Sequence, residues 1–517
     1  MISMNTLRIS LVSAFALGIA SLASPLCLHA KDYTLSLTAN QTWTGAPWSP
    51  TGVPGANDRV LNFSNGGTQT YDFYLDGDQA LLSFTSTNTG ISQRIYNGTS
   101  LSNVADGSLN VSEEIAIRSG SLYLRSRDAN YRLSISASSL QIGGGTAPAG
   151  IIFGGSDSYR NVSFTVSGAT VLTGNNPLLE MQSGLTASDS KINLGHVIFK
   201  SDITGSTPGI LFNSGALTVK SLRSSVTGGG TLRTGSAGKG TLLISGAAGD
   251  PGQPEGENIF YQEIRGGLNV EKTGTNTQIF AAANTYTDGT VISGGVLSLR
   301  NTTGSGLGSG NVVVKEGGTL AGSGILMLAA GNSIKIQESG IVAPGADGAG
   351  FSTLSINGNL NRDDLQPFTM EAGAKFSFNL DESGRSDSIL FGYYSAGYLK
   401  LDPGGMVVDV SGTLSDTVIY TFFTFKSDGP KTGSKLTSSG LTGGLVAGSG
   451  FDGFIPTFHY DDPAFGGLGT ITMTVSQIPE PHAIALAVPI IIFFSLLQRR
   501  SRRQSQLEQS GTKAQSA

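Results

Sequence analysis

The chain has 517 residues, of which 13% are charged and 73 are glycine, and its formal net charge is −5 at pH 7. Average globular domains carry about 25% charged residues and about 7% glycine, so this composition argues against a helical protein and favours short strands joined by tight turns. The acidic balance argues against nucleic acid as a partner. The hydrophobic share of 38% is too high for a disordered chain.

Residues 1–30 are predicted to be an N-terminal signal helix that is removed on export. Arg8 lies before an apolar, small-residue-rich stretch at residues 9–23, and Ala30 offers a small residue at the cleavage position. The single cysteine, Cys27, lies inside this segment. The mature chain is therefore expected to contain no disulfide and to depend on burial and backbone pairing for stability.

The first part of the mature chain contains both tryptophans of the sequence, Trp43 and Trp48. We interpret them as an aromatic cap that closes the open end of a stack of strands, because an uncapped stack exposes a strand edge. A platform on which sugar rings stack is the alternative interpretation.

A repeating pattern predicts a parallel β-solenoid over residues 31–362. Apolar residues recur at i and i+2, and the anchors Ile292, Val312, Ile334 and Leu354 follow one another at intervals of about 20 residues. A unit of that size cannot enclose a core alone, but it can when stacked on its neighbours. An array of β-sandwich modules is the competing architecture. The expected fold class is all-β in either case.

Residues 268–324 resemble the autotransporter-associated β-strand repeat. The resemblance rests on residues 284–292, 295–299, 307–310 and 317–324, in that order. It implies a right-handed β-helix on an exported surface protein. The tail ends in residues 515–517 without the aromatic terminus of a membrane barrel, so we expect the passenger fold without its translocator.

Residues 363–476 are predicted to be a β-rich C-terminal segment, either a small β-sandwich or a widened end of the solenoid. The spacing between apolar pairs loosens here, and residues 376–380, 405–411, 417–425 and 469–475 have the pattern of strands.

Residues 477–503 resemble the PEP-CTERM sorting signal. Pro479, Glu480 and Pro481 precede an uncharged apolar run at residues 483–497, which is predicted to be a C-terminal transmembrane helix. The resemblance implies an exosortase-type protease that recognises the Pro-Glu-Pro motif and removes the helix. An ordinary single-pass anchor is the alternative.

A basic cluster follows the apolar run and fixes its predicted orientation, because arginines beside a membrane span stay on the cytoplasmic side. The cluster consists of Arg499, Arg500, Arg502 and Arg503. Residues 504–517 form a polar tail. The expected route is inner-membrane anchoring, at least transient, followed by the cell surface or the extracellular space.

The sequence shows no pattern of catalytic, metal-binding or cofactor-binding residues. His196 and His459 are the histidines of the predicted exported body, too few for an obvious metal site or triad. Residues 238–241 partly resemble a phosphate loop, but Arg233 stands where its first glycine is required. Three basic residues, Arg125, Arg127 and Arg132, are assigned to a solvated face.

These observations predict an exported, non-catalytic surface or extracellular-matrix protein with a structural or adhesive role. Its expected partners are an exosortase-type protease and the membrane, with exopolysaccharide as a further candidate. The alternative function is a polysaccharide-active β-helix enzyme such as a lyase, since that fold also supports catalysis.

Overall fold

The computed structural model describes most of residues 31–478. Its internal gaps are 38, 66–69, 88–91, 101–102, 127, 129, 156–160, 183–190, 206–208, 227–228, 237, 251–252, 254, 330, 347, 349, 358–367, 393–398, 402–405, 426–444 and 462–468. The predicted signal helix, sorting motif, transmembrane helix and basic cluster lie outside the described residues.

The described part of the chain is all-β, with parallel strands, as the sequence predicts. The strands of its first half are β1 Asp32–Leu37, β2 Gln41–Thr42, β3 Arg59–Asn65, β4 Asp72–Leu75, β5 Asp78–Leu81, β6 Ser83–Thr87, β7 Gln93–Asn97, β8 Gly107–Arg125, β9 Leu133–Gly143, β10 Ala149–Phe153, β11 Val162–Thr173, β12 Pro177–Met181, β13 Lys191–Phe199, β14 Ile210–Phe212, β15 Ala216–Ser224, β16 Leu232–Thr234 and β17 Lys239–Ile244.

The second half continues with shorter strands. They are β18 Ile259–Phe260, β19 Ile264–Lys272, β20 Thr277–Phe280, β21 Thr285–Tyr286, β22 Gly289–Ile292, β23 Gly295–Leu299, β24 Val312–Val314, β25 Gly318–Gly322, β26 Ile325–Met327, β27 Ile334–Ile336, β28 Ile341–Ala343, β29 Thr353–Asn357, β30 Phe368–Met370, β31 Lys375–Leu380, β32 Ser388–Phe391, β33 Leu399–Leu401, β34 Met406–Gly412, β35 Tyr420–Phe425, β36 Leu445–Ala447, β37 Phe454–Asp461 and β38 Gly469–Gln477.

The strands stack one coil upon the next in the manner of a β-helix. One ladder of parallel pairs runs β9–β11–β13–β15–β17–β19, and a second runs β8–β10–β12–β14–β16–β19. The long strand β19 belongs to both ladders. It turns between them at Gly266, whose φ of +91° suits glycine. The right-handed sense of the winding stays a prediction.

The core lies inside the stack because every second side chain of a strand points inward. In β1 the burial alternates strictly, with Tyr33, Leu35 and Leu37 inside. Along the first ladder Phe164 pairs with Ile192 and Ile192 with Leu217, so that equivalent apolar residues stack in columns. Such columns bury the apolar pairs from which the solenoid was predicted, including Leu109 with Val111 and Leu217 with Val219.

The predicted spacing of the anchors needs one correction. Val312 pairs with Ile334, as a repeat of about 20 residues requires, and Ile292 pairs with Val314. Leu354, however, lies in β29 and pairs with β32, in a different sheet. The next strand on β27 is β30, because each coil here visits three sheets in turn and the intervening strands β28 and β29 belong to the other two.

The two ends of the described stack differ from its middle: an aromatic cluster lies at the first end and antiparallel strands lie at the other. Trp43 and Trp48 are 0% and 4% exposed, with ring centroids 5.0 Å apart, and they pack on Phe73 in the first coils. This favours the cap over the sugar platform. At the other end β38 pairs antiparallel with both β35 and β37.

Parallel pairing crosses the predicted boundary at residue 362, since β31 pairs with β28 and β34 with β31. The domain division itself stays a prediction. Within the described residues, no helix is long and apolar enough to cross a membrane.

Candidate functional site

The predicted sorting residues cannot be placed on this structure. Pro479, Glu480, Pro481, the arginine cluster at residues 499–503 and Ala30 all lie outside the described residues. They stay predictions. The chemistry that can be assessed lies along the stack.

His196 is a buried residue of β13. Its Nδ1 is 2.9 Å from the Oγ of Ser221, the residue beside it on the next coil, and each residue is 1% exposed. Burial lowers the pKa of His196, while the nearby carboxylate of Asp250 opposes that shift. Asp250 itself is paired with Lys220 at 2.9 Å. The serine, histidine and aspartate are thus neighbours, but the first two are closed to a substrate.

Side-chain amides bridge the coils where backbone pairing is interrupted. The chain leaves the stack after β17, and Gln278 fills the place of the missing strand. Its Oε1 accepts a hydrogen bond from the N–H of Leu222 at 2.8 Å, and its Nε2 donates to the carbonyl of Leu222 at 2.9 Å. Asn284 acts similarly between the N–H of Ile264 and the carbonyl of Gly306. Sequence reasoning did not single out Gln278, because a lone polar residue in a strand has no distinctive pattern, and it included Asn284 only as part of the repeat resemblance.

Lys272 is a buried cation in an aliphatic column. It lies at the end of β19 between Ile244 and Ile292, and it is 0% exposed. Its Nζ donates to the carbonyls of Gly274 and Gly294. Burial lowers the pKa of Lys272 to about 8.

A polar cleft opens on the outside of the stack over β16, β19 and β21. Its cavity has a volume of about 500 Å³. Arg233 and Arg265 stand side by side on adjacent coils, and Thr285 occupies the same place on the third. Lys239 lies at the rim, 3.5 Å from Asp288, with 81% of its side chain exposed. Of the failed phosphate-loop pattern, residues 238–241, Gly238 and Lys239 line this cleft, at the start of β17.

The three predicted surface arginines behave differently from those of the cleft. Arg125 stacks on the ring of Tyr123 at 4.5 Å and donates to the carbonyl of Gly154. Arg132 donates to the Oδ1 of Asn161 at 2.8 Å. Arg127 lies outside the described residues. In the described part of the chain no cluster of three acidic, histidine or cysteine side chains could hold a metal ion.

Comparison with known proteins supports the repeat. The sequence model of the Passenger-associated-transport-repeat family matches residues 270–299, which lie within the range predicted to resemble an autotransporter-associated repeat. That part of the prediction is confirmed. The match spans the end of β19 through β23, and it includes Lys272, Gln278 and Asn284.

One curated relative is an extracellular serine protease from Serratia marcescens. The two sequences are 29% identical over 130 residues, which make up 25% of this chain and 10% of that protein. The chain therefore spans about a tenth of the length of this relative. Because the relative is named as an enzyme, the match contradicts the prediction that this chain is not one.

Proposed function

We propose that this chain is an exported β-helix of the autotransporter-passenger type, displayed at the cell surface or in the extracellular matrix, where it serves as an adhesive or structural element. The observation that supports this most is the transport repeat at residues 270–299, whose strands pair in parallel with strands of the neighbouring coils. The stack continues on both sides of the repeat, so the repeat is one section of a longer rod.

The outer faces of the rod support an adhesive role. Polar side chains of successive coils hydrogen-bond to one another there, as Ser136 does to Asn110 at 2.9 Å and Thr353 to Ser388 at 2.8 Å. These rows leave hydroxyl and amide groups at the exposed surface in a regular array. A rigid, regularly spaced polar surface suits repeated weak contacts, which gain strength when many act together.

Export and sorting form the second half of the proposal. The signal segment at residues 1–30 would direct export. The Pro479-Glu480-Pro481 motif, the apolar run at residues 483–497 and the arginines behind it would hold the chain in the inner membrane until an exosortase-type protease releases it. The order of the three parts supports this route.

The sorting proposal is tested by the intact mass of the surface-associated protein in its native host. We expect the wild-type mass to lack the apolar run and the arginines, and Glu480→Ala to leave the unprocessed chain in the inner membrane. Glu508→Ala, which removes a carboxylate from the polar tail, is the matched control and should be processed normally. A surface form that retains the arginines, or normal processing of Glu480→Ala, would refute exosortase sorting.

A second candidate function is proteolysis, which the match to an extracellular serine protease favours. The test is labelling of the purified chain with a fluorophosphonate probe, combined with hydrolysis of fluorescent casein. A labelled serine mapped by mass spectrometry would identify the nucleophile. Ser221→Ala tests whether the labelled residue is Ser221, which lies within hydrogen-bond distance of His196. Labelling that persists in this variant would assign the nucleophile to another serine. Absence of both labelling and hydrolysis would remove this candidate.

A further inference from the structure

The cleft over β16, β19 and β21 carries an unbalanced positive charge. Arg233 and Arg265 occupy the same position on adjacent coils, which lie about 4.8 Å apart in a parallel sheet. Like charges placed directly opposite one another destabilise a sheet. Glu263 lies 3.6 Å from Arg265 and compensates it. Arg233, by contrast, forms no ion pair with any described residue.

The Arg233 side chain also has an unused donor. Its Nε is shielded from solvent and has no hydrogen-bond partner among the described residues. A buried donor that bonds to nothing is costly, and more so when it carries charge. An acceptor supplied by a ligand in the cleft would satisfy this donor and would also screen the two guanidinium groups from each other.

The rest of the lining defines the ligand further. The cleft is lined by the cations Arg233, Arg265 and Lys239, by the hydroxyl residues Thr234, Ser236, Thr285 and Thr287, by Asp288 and by glycines. Aliphatic and aromatic side chains are absent from this described lining, so specificity in the cleft comes from its charged and hydroxyl groups. The Asp288 carboxylate would repel a simple anion but can accept hydrogen bonds from hydroxyl groups.

Glycines allow the coils that form the cleft to approach closely. A side chain at Gly266 would collide with Thr234, and a Cβ at Gly267 would lie 2.9 Å from the carbonyl oxygen of Gly238. The backbone N–H of Gly267 is held by the Oγ1 of Thr234 at 2.9 Å. The volume of about 500 Å³ is within the range of roughly 300 to 1,000 Å³ usual for small-ligand sites.

We propose that this cleft binds an acidic sugar unit of a polysaccharide, with its anionic group held between Arg233 and Arg265 and its hydroxyls by Asp288 and the threonines. The inference deepens the proposed adhesive function, on which its biological meaning rests, by naming the class of ligand. A polymer could continue along the outer face of the rod. Binding by the purified chain does not depend on sorting. A failed test of exosortase sorting therefore leaves the binding proposal intact, and a failed binding test leaves the sorting proposal intact.

The test is calorimetric titration of the purified full-length chain with an oligogalacturonate, a neutral oligogalactoside of equal length and sodium phosphate alone. We expect the acidic oligosaccharide to bind, the neutral one to bind at least about tenfold more weakly, and added salt to weaken binding. Arg233→Gln and Arg265→Gln should each lower the affinity at least about tenfold.

The matched control is Arg118→Gln, which removes the same charge from a distant coil where Arg118 is paired with Glu114. It should bind like the wild type. Arg233→Lys keeps the charge but loses the planar guanidinium group that can donate two parallel hydrogen bonds, so it should bind with intermediate affinity. It replaces Arg233→Gln as the test if that variant does not fold. Equal binding of the neutral oligosaccharide, equal binding by phosphate alone, or unchanged affinity in the Arg233 variants would overturn the proposal.

Discussion

Replacing the buried Lys272 with methionine should stabilise the protein at neutral pH. Its amino group has a pKa of 10.5 in the unfolded chain and about 8 in the folded one, because burial disfavours the charged form. At about 1.4 kcal/mol for each pKa unit, keeping the charge inside costs roughly 3 kcal/mol below pH 8. Methionine removes that cost, while the carbonyls of Gly274 and Gly294 lose a donor, at about 1 kcal/mol each. The expected net gain is about 1 kcal/mol.

The pH dependence is the sharper part of this prediction. Between the two pKa values the unfolded chain binds more protons than the folded one, so the free energy of unfolding rises with pH. From pH 7 to pH 10 this lysine should add about 2.5 kcal/mol to the stability of the wild type. Lys272→Met should lack that rise.

The assay is urea denaturation followed by circular dichroism at pH 7 and at pH 10, with wild type and variant compared at each. Lys315→Met is the matched control, because Lys315 is exposed and follows the strand that stacks above Ile292. An identical pH response in wild type and Lys272→Met would show that the lysine is not held in the apolar column and would refute the reasoning.

Two further predictions concern packing. Gln278→Leu should lower the free energy of unfolding by about 2 to 4 kcal/mol in denaturation experiments, because the backbone N–H and carbonyl of Leu222 lose their partner inside the stack. Gln141→Leu, at a half-buried position that faces outward, is the control and should change stability by much less. Trp43→Ala should lower the free energy of unfolding by about 3 to 5 kcal/mol, and hydrogen exchange should become faster in β1 and β3 than in the rest of the rod. Tyr131→Ala, at an exposed residue, is the control. Uniform exchange along the rod, or a loss of stability no larger than that of the control, would contradict the cap.

The mismatch at Leu354 shows where sequence spacing stops being informative. The pattern identifies a buried strand at each anchor, because alternation depends only on which residues are apolar. It does not identify the partner strand, because that depends on which of the three sheets of the stack the strand occupies. Leu354 has the right residues around it, but its strand is the third of its coil and lies in the sheet of β26 and β32.

The cleft shows a second limit. Arg233 and Arg265 are 32 residues apart in the sequence, and no local motif connects them. They meet because the coil between them closes and brings β19 onto β16. The glycines that allow the close approach are visible in the sequence, but glycine is common throughout this chain.

The sequence by itself determined the class of fold, the presence of the transport repeat and the expectations for the two termini. Alternation, composition and ordered motifs are local properties, so they are readable without a structure. The tertiary structure alone decided which strands stack, that Gln278 fills the place of a missing strand, that Lys272 lies inside the core, and that two distant arginines share one cleft. Each of these depends on register between coils, which is fixed by the packing of the stack as a whole.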